Sequence, residues 1–158
     1  MSPILSAVRY DLGQLVWAVR VSQRCPAGAP IGRSCNSEGY KQAEYRGKKY
    51  KVHRLVWEMH FGDIPARMQI DHIDGDRGNN RIENLRLVSP QGNTQNQHSA
   101  SRNNGTGLLG VSRHGLDRWQ ARIRKDYKAV HIGTFDTASA AHAAYVQAKR
   151  DLHATCSI

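Results

Sequence analysis

The sequence predicts an α+β chain made of two small parts, each joining a short antiparallel sheet to a helix. Three observations carry this reading. A strand–loop–strand–helix pattern occupies residues 66–98. Three short strands and then a long Ala-rich helix fill residues 108–158. Between them, Ser-Ala-Ser-Arg-Asn-Asn-Gly-Thr-Gly at residues 99–107 is small, polar and turn-forming, as a linker is. A length of 158 residues suits one domain or two compact small ones.

The first part, residues 1–98, opens with a β-rich stretch over residues 1–52. Residues 15–21 are aromatic and β-branched and read as a strand. Pro26, Gly28, Pro30 and Gly32 mark a loop. Residues 39–45 and 49–53 flank Arg46-Gly47-Lys48, which reads as a hairpin turn. Arg46, Lys48 and Lys49 there stand beside a phosphate backbone or merely keep the turn solvated. Residues 53–61 carry Leu55, Val56, Met59 and Phe61 at helical spacing, and Gly62 and Pro65 end that helix.

Residues 68–73 read as a strand and 85–88 as a second strand returning beside it. Ser89 is placed as an N-cap and Pro90 at the first helical position. Asp74, Asp76 and the Asn79-Asn80 pair suit an Asx-rich turn between the strands. In the last part, strands are expected at 108–113, 118–125 and 129–133, with turns at Gly115 and at 126–128. A helix opening at Asp136-Thr137 follows, its Ala residues suited to lying close on a sheet. Trp119 and Phe135 are expected in the core.

The formal net charge is +10, from 23 basic and 13 acidic side chains. Residues 1–98 hold fourteen basic and nine acidic groups, residues 99–158 nine and four, so each part carries a surplus of five. No single basic tail explains the charge, and a polyanion spanning both parts is the natural partner. Three cysteines without a Cys-x-x-Cys pair argue against a disulfide scaffold and a four-thiolate zinc site. No stretch resembles a signal peptide or a membrane span, so a soluble protein of the cytoplasm, with no membrane partner, is expected.

Hydrolysis of a phosphodiester needs a base for the attacking water and relief of charge at phosphorus. An imidazole suits the first task. A hard divalent cation on oxygen ligands suits the second. Asp71 and His72 offer both groups, although neighbours on a strand point to opposite faces and must be brought to one site by twist or a bulge.

Asp71-His72, then Asn79-Asn80, Asn84-Leu85-Arg86 and Asn93, resemble the His-Asn-His (HNH) endonucleases with their ββα-metal finger, most closely the phage and intron-encoded homing type. The resemblance covers residues from about 40 to 98. It implies a DNA endonuclease with His72 as general base, and Asp71 and Asn93 as metal ligands. It also implies that Asn84 orients the histidine and pins the loop. Asn93 stands where many relatives have His, and an amide oxygen favours Mg²⁺ or Mn²⁺. Arg77, Arg81 and Arg86 are candidate phosphate or ion-pair residues. A bacterial host cell, or a phage within it, is the setting the resemblance implies.

Gly110-Val111, residues 119–124 and His131-Ile132-Gly133-Thr134-Phe135-Asp136-Thr137, with the Ala-rich helix, resemble the Apetala-two (ethylene-response-factor) DNA-binding domain. That resemblance implies a three-stranded sheet on duplex DNA with one packed helix behind. Arg118, Arg122 and Arg124 share a parity and would project from one face. Arg113 is a further candidate contact. Two other readings stand beside the nuclease. One is a non-catalytic, sequence-specific DNA-binding protein whose finger is a scaffold, and the other is a nuclease acting on RNA. A monomer and a homodimer are both compatible with the sequence.

Overall fold

The computed structural model describes residues 2–101, 103–126, 128–153 and 156. Two compact units divide the chain, Met1–Pro90 and Gln91–Ile158.

In the first unit a 3-10 turn at Pro3–Ala7 leads into β1 (Val8–Asp11) and β2 (Gln14–Trp17). Their two-residue turn, Leu12-Gly13, has φ of 44° and 82°. Positive φ at both central positions gives the turn the twist a hairpin needs. The β1 strand and this turn were not among the sequence expectations, because Leu is a poor signal for a left-handed position.

A second sheet runs β3 (Ser34–Cys35), β4 (Lys41–Tyr45), β5 (Lys48–Lys51). The expected hairpin turn lies at Arg46-Gly47, with φ of 50° and 73°. Strand β5 passes directly into α1 (Val52–Phe61). That helix stops at Gly62, whose N–H donates to the Glu58 carbonyl. A third sheet pairs β6 (Gln69–His72) with β7 (Leu85–Val88). One core joins these pieces: Ile4 from the 3-10 turn, Leu15 and Trp17 from the first hairpin, Leu55 and Val56 from α1, and Ile70 and Leu85 from the third sheet.

The division between units falls within α2 (Pro90–Gln95). In the second unit β9 (Arg118–Lys125) is the central strand between β8 (Val111–His114) and β10 (Lys128–Phe135), all antiparallel. Thr137 caps α3 (Ala138–Leu152) by accepting from the Ala140 N–H at 3.1 Å. Ala141, Tyr145 and Lys149 are buried along one stripe of α3, and Val111, Ala121 and Ile123 meet the first two from the sheet. Trp119 and Phe135 pack against this core, as expected.

Gly110 is obligatory there: its φ is +75°, and a Cβ would lie 1.9 Å from the Tyr145 ring. Lys149 is 1% exposed, and its Nζ donates to the Gln97 carbonyl. Burial holds its ammonium below the ordinary lysine pKa.

Residues 104–108 form a hydrogen-bonded turn in which the Thr106 hydroxyl joins Asn104 to the carbonyls of Leu108 and Val111. Arg102 of the expected linker and Tyr127 of the expected turn lie outside the described residues. Among the described residues no helix is long and apolar enough to cross a membrane.

Candidate active site on the strand–loop–strand finger

Register builds the site. Strands β6 and β7 pair Asp71 with Arg86 and His72 with Leu85. Opposed charges on directly facing strand positions attract. Arg86 donates from Nε at 3.0 Å and from Nη2 at 2.9 Å, both to Asp71 Oδ2. Asp71 is 8% exposed, so this contact supplies a counter-charge that a buried carboxylate requires. Arg86, offered by the sequence as a phosphate contact or an ion-pair residue, is the second of these, because β-pairing sets it opposite the acid.

His72 is 4% exposed and keeps different company. Its ring meets His53 edge-on at 5.1 Å between centroids, and Tyr40 at 6.0 Å. Its Nε2 lies 3.0 Å from Asn80 Oδ1. The Asn80 amide has a fixed sense, since its Nδ2 donates to the Gly78 carbonyl at 3.3 Å. The oxygen therefore faces the imidazole, a pairing that suits a donor N–H at Nε2.

Asn84 makes no hydrogen bond to His72. The side chain lies just beyond the strand pair, at the loop, where its Oδ1 accepts from the Asp74 N–H at 3.0 Å. Its Nδ2 donates to Asp74 Oδ1 and to the Asn79 carbonyl, both at 2.9 Å. Of the two tasks expected of Asn84, the loop is its own and the imidazole contact belongs to Asn80.

Asp74 also accepts from Asn79 Nδ2 at 2.7 Å and from the Asp76 N–H at 2.8 Å. Desolvation pushes its carboxyl upward, but hydrogen bonds from Asn79, Asn84 and Asp76 outweigh this and hold it below its ordinary value. These bonds make the Asx-rich turn.

Three residues to which the sequence reading assigned no role surround the imidazole: Tyr40, His53 and, from within the motif, Asn80. His53 is 5% exposed, and its pKa is lowered to about 3, by burial first and then by the nearby charges of His72, Lys51 and Arg54. The Tyr40 ring packs tilted against His53, with 5.0 Å between centroids. Lys51 Nζ and Arg77 Cζ lie over the Tyr40 ring at 4.4 and 4.8 Å. Arg77 also donates from Nη1 to the Glu38 carbonyl at 2.6 Å, so it braces the aromatic cluster.

The remaining basic candidates fall in several places. Arg46 Cζ lies 5.2 Å from the centroid of the Tyr45 ring, and Lys48 and Lys49 are exposed on β5 beside it. Arg81 is exposed after the finger loop. In the second unit Arg122 and Arg124 are exposed on β9, while Arg118 is exposed and bonded to Asp136 at 3.2 Å. Arg113 pairs in register with Trp119 and lies over its ring at 5.4 Å. It therefore has the parity opposite to the three β9 arginines. Asn93 sits on α2 in the second unit.

Among the described residues no three His, Cys, Asp or Glu side chains gather as a metal cluster. The donor chemistry of Asp71 and Asn93 is one carboxylate and one carboxamide. Such a set fits a hard cation that retains water, rather than zinc.

A family model described as HNH endonuclease matches residues 50–95, which contain Asp71, His72, Asn80, Asn84 and Asn93. Protein 3.8 of Escherichia phage T7 is 32% identical over 107 residues, 67% of this chain and 87% of that protein. A prophage-derived protein of Bacillus subtilis (strain 168), named as the HNH homing endonuclease YosQ, is 43% identical over 56 residues, 35% of this chain and 32% of the relative. DNA endonuclease I-HmuI of Bacillus phage SP01 is 40% identical over 69 residues, 43% of this chain and 36% of the relative. Likeness to the solved structure of I-HmuI covers 54% of this chain and 47% of that one, at 29% identity and a TM-score of 0.39. The chain thus spans about a third of the length of the two named endonucleases. Residues 50–95 form an HNH endonuclease domain, and the chain belongs to the HNH endonuclease family.

Proposed function

We propose that the protein is a divalent-metal-dependent endonuclease that hydrolyses phosphodiester bonds of duplex DNA. The observation that carries this reading is the placement of His72 beside Asp71 on β6, with its Nε2 held 3.0 Å from Asn80 Oδ1. In this reading the imidazole, held by Asn80 at Nε2, takes a proton from an attacking water. Asn80 and the ring of His53 set the orientation of that imidazole, and the Asp74–Asn79–Asn84 bonds hold the loop that carries Asn80.

Asp71 and Asn93 would hold the metal, with Mg²⁺ or Mn²⁺ favoured by their oxygens; the role of Asn93 rests on the family pattern. When bound, such an ion relieves charge at the phosphate and at the leaving oxygen. Arg86 holds the Asp71 carboxylate aligned on its strand through two hydrogen bonds.

In this reading residues 1–98 are the nuclease domain and 99–107 the linker. Residues 108–158 are a DNA-binding module of the Apetala-two type. Arg118, Arg122 and Arg124 on one face of the second unit's sheet, together with Arg46, Lys48 and Lys49 of the first, contact phosphates or base edges. The near-complete cover of His72 favours a second reading, in which the finger is a scaffold and the protein only binds DNA.

A nicking assay separates the two. Supercoiled plasmid with Mg²⁺ is cut by the wild type, and His72→Ala lowers the rate by about 10²- to 10⁴-fold while duplex affinity is kept. Cutting undiminished by the substitution removes His72 from the mechanism.

A further inference from the structure

The finger loop also borders a cavity that the chemistry assigned above does not use. Its volume is about 230 Å³, and it is lined among others by Leu12, Gly13, Lys41, Asn79, Asn80 and Arg81. No carboxylate lines it. Among the described residues neither Lys41 nor Arg81 has an ion pair or a side-chain hydrogen bond.

Glycines make room for both cations. A Cβ on Gly13 would lie 3.3 Å from Arg81 Cγ and Nε, and one on Gly32 would lie 3.0 Å from Lys41 Cβ. Two unpaired like charges at one cavity repel each other, and a bound anion relieves that repulsion. Arginine and lysine are the side chains that neutralise phosphate.

We propose that this cavity seats a backbone phosphodiester of the nucleic acid, a phosphate other than the one that is cut. The proposal rests on the nuclease reading for its substrate. Asn80 is the link between the two places: it is among the residues that line the cavity, and its Oδ1 lies 3.0 Å from His72 Nε2. Seating a phosphate against Lys41 and Arg81 therefore sets the register of the strand relative to the base.

The test uses the full chain and a duplex oligonucleotide, with affinity measured in EDTA so that nothing is cut, and nicking measured separately with Mg²⁺. Lys41→Gln and Arg81→Gln are compared with Arg9→Gln, which removes an equal charge already paired with Asp11. Each cavity variant is expected to bind about tenfold more weakly, with the salt slope of affinity reduced by about one, while Arg9→Gln binds like the wild type.

Equal affinities for all three variants overturn the proposal, as does a wild type that binds no duplex. A wild type that binds but does not nick overturns the nuclease reading alone, and the selective loss at Lys41 and Arg81 then still supports the cavity.

Discussion

A carboxylate that lies 8% exposed between two strands is tolerated because an arginine faces it. Removing one partner of such a pair leaves the other charge without compensation, which is costlier than never having had the pair. Arg86 retains some exposure, which moderates the cost. Arg86→Ala is expected to lower unfolding free energy by about 3 kcal/mol, read from the urea midpoint. Replacing both residues by apolar ones, Asp71→Leu with Arg86→Met, is expected to recover most of that stability and none of the nicking. If the single and double variants unfold alike, the pair is not what stabilises the strands.

At this scale the sequence was legible where the chemistry is local. Asp71-His72 and the asparagines are close enough in the chain for spacing and family resemblance to expose them. Tyr40 and His53 are not, because their contact with His72 follows from the path of β4, β5 and α1. The charged residues were the least legible: a basic side chain looks the same in a sequence whether it meets a phosphate, a carboxylate or an indole, so Arg86 stood open between phosphate and ion pair until the structure set it against Asp71, and Arg113, a candidate DNA contact, lies over Trp119.

Helix α1 brings a pH dependence with it. His53, at its first turn, has a folded-state pKa of about 3 against 6.5 in the unfolded chain. Below 6.5 the unfolded state therefore binds a proton that the folded state refuses, and stability falls with pH until about 3 is approached. The contribution lost is about 1.4 kcal/mol per pH unit across that window. Urea midpoints taken from pH 7 to 5 should fall for the wild type and fall less for His53→Phe, which keeps the ring and loses the titration. Parallel profiles would show that His53 is not the group responsible.

The elements themselves were mostly readable. Strands β7 and β9 span the residues that alternation predicts, and α1 and α3 begin within one residue of expectation. The second half of the expected linker differed, since Asn104 and Thr106 bond into a turn that small polar composition alone does not distinguish from a free tether.

For the whole molecule, the basic surplus of five in each part predicts that both contribute to nucleic-acid affinity. A protein neutralising about six phosphates loses on the order of 10³ in affinity between roughly 50 and 200 mM salt. We expect a loss of that size for duplex binding, followed by fluorescence anisotropy. A flat profile would mean that phosphate neutralisation does not drive binding, and that the charge is only a solvated surface.

The buried ammonium of Lys149 and its acceptor, the Gln97 carbonyl, both belong to the second unit. Natural shuffling or a laboratory chimera that joined a foreign module at 98–107 would separate donor from acceptor and strand a cation in the interior. Exchanges that survive should have their crossover upstream of Gln97. The stretch inherited as one block would then begin nearer to α2 than the composition of the sequence indicates.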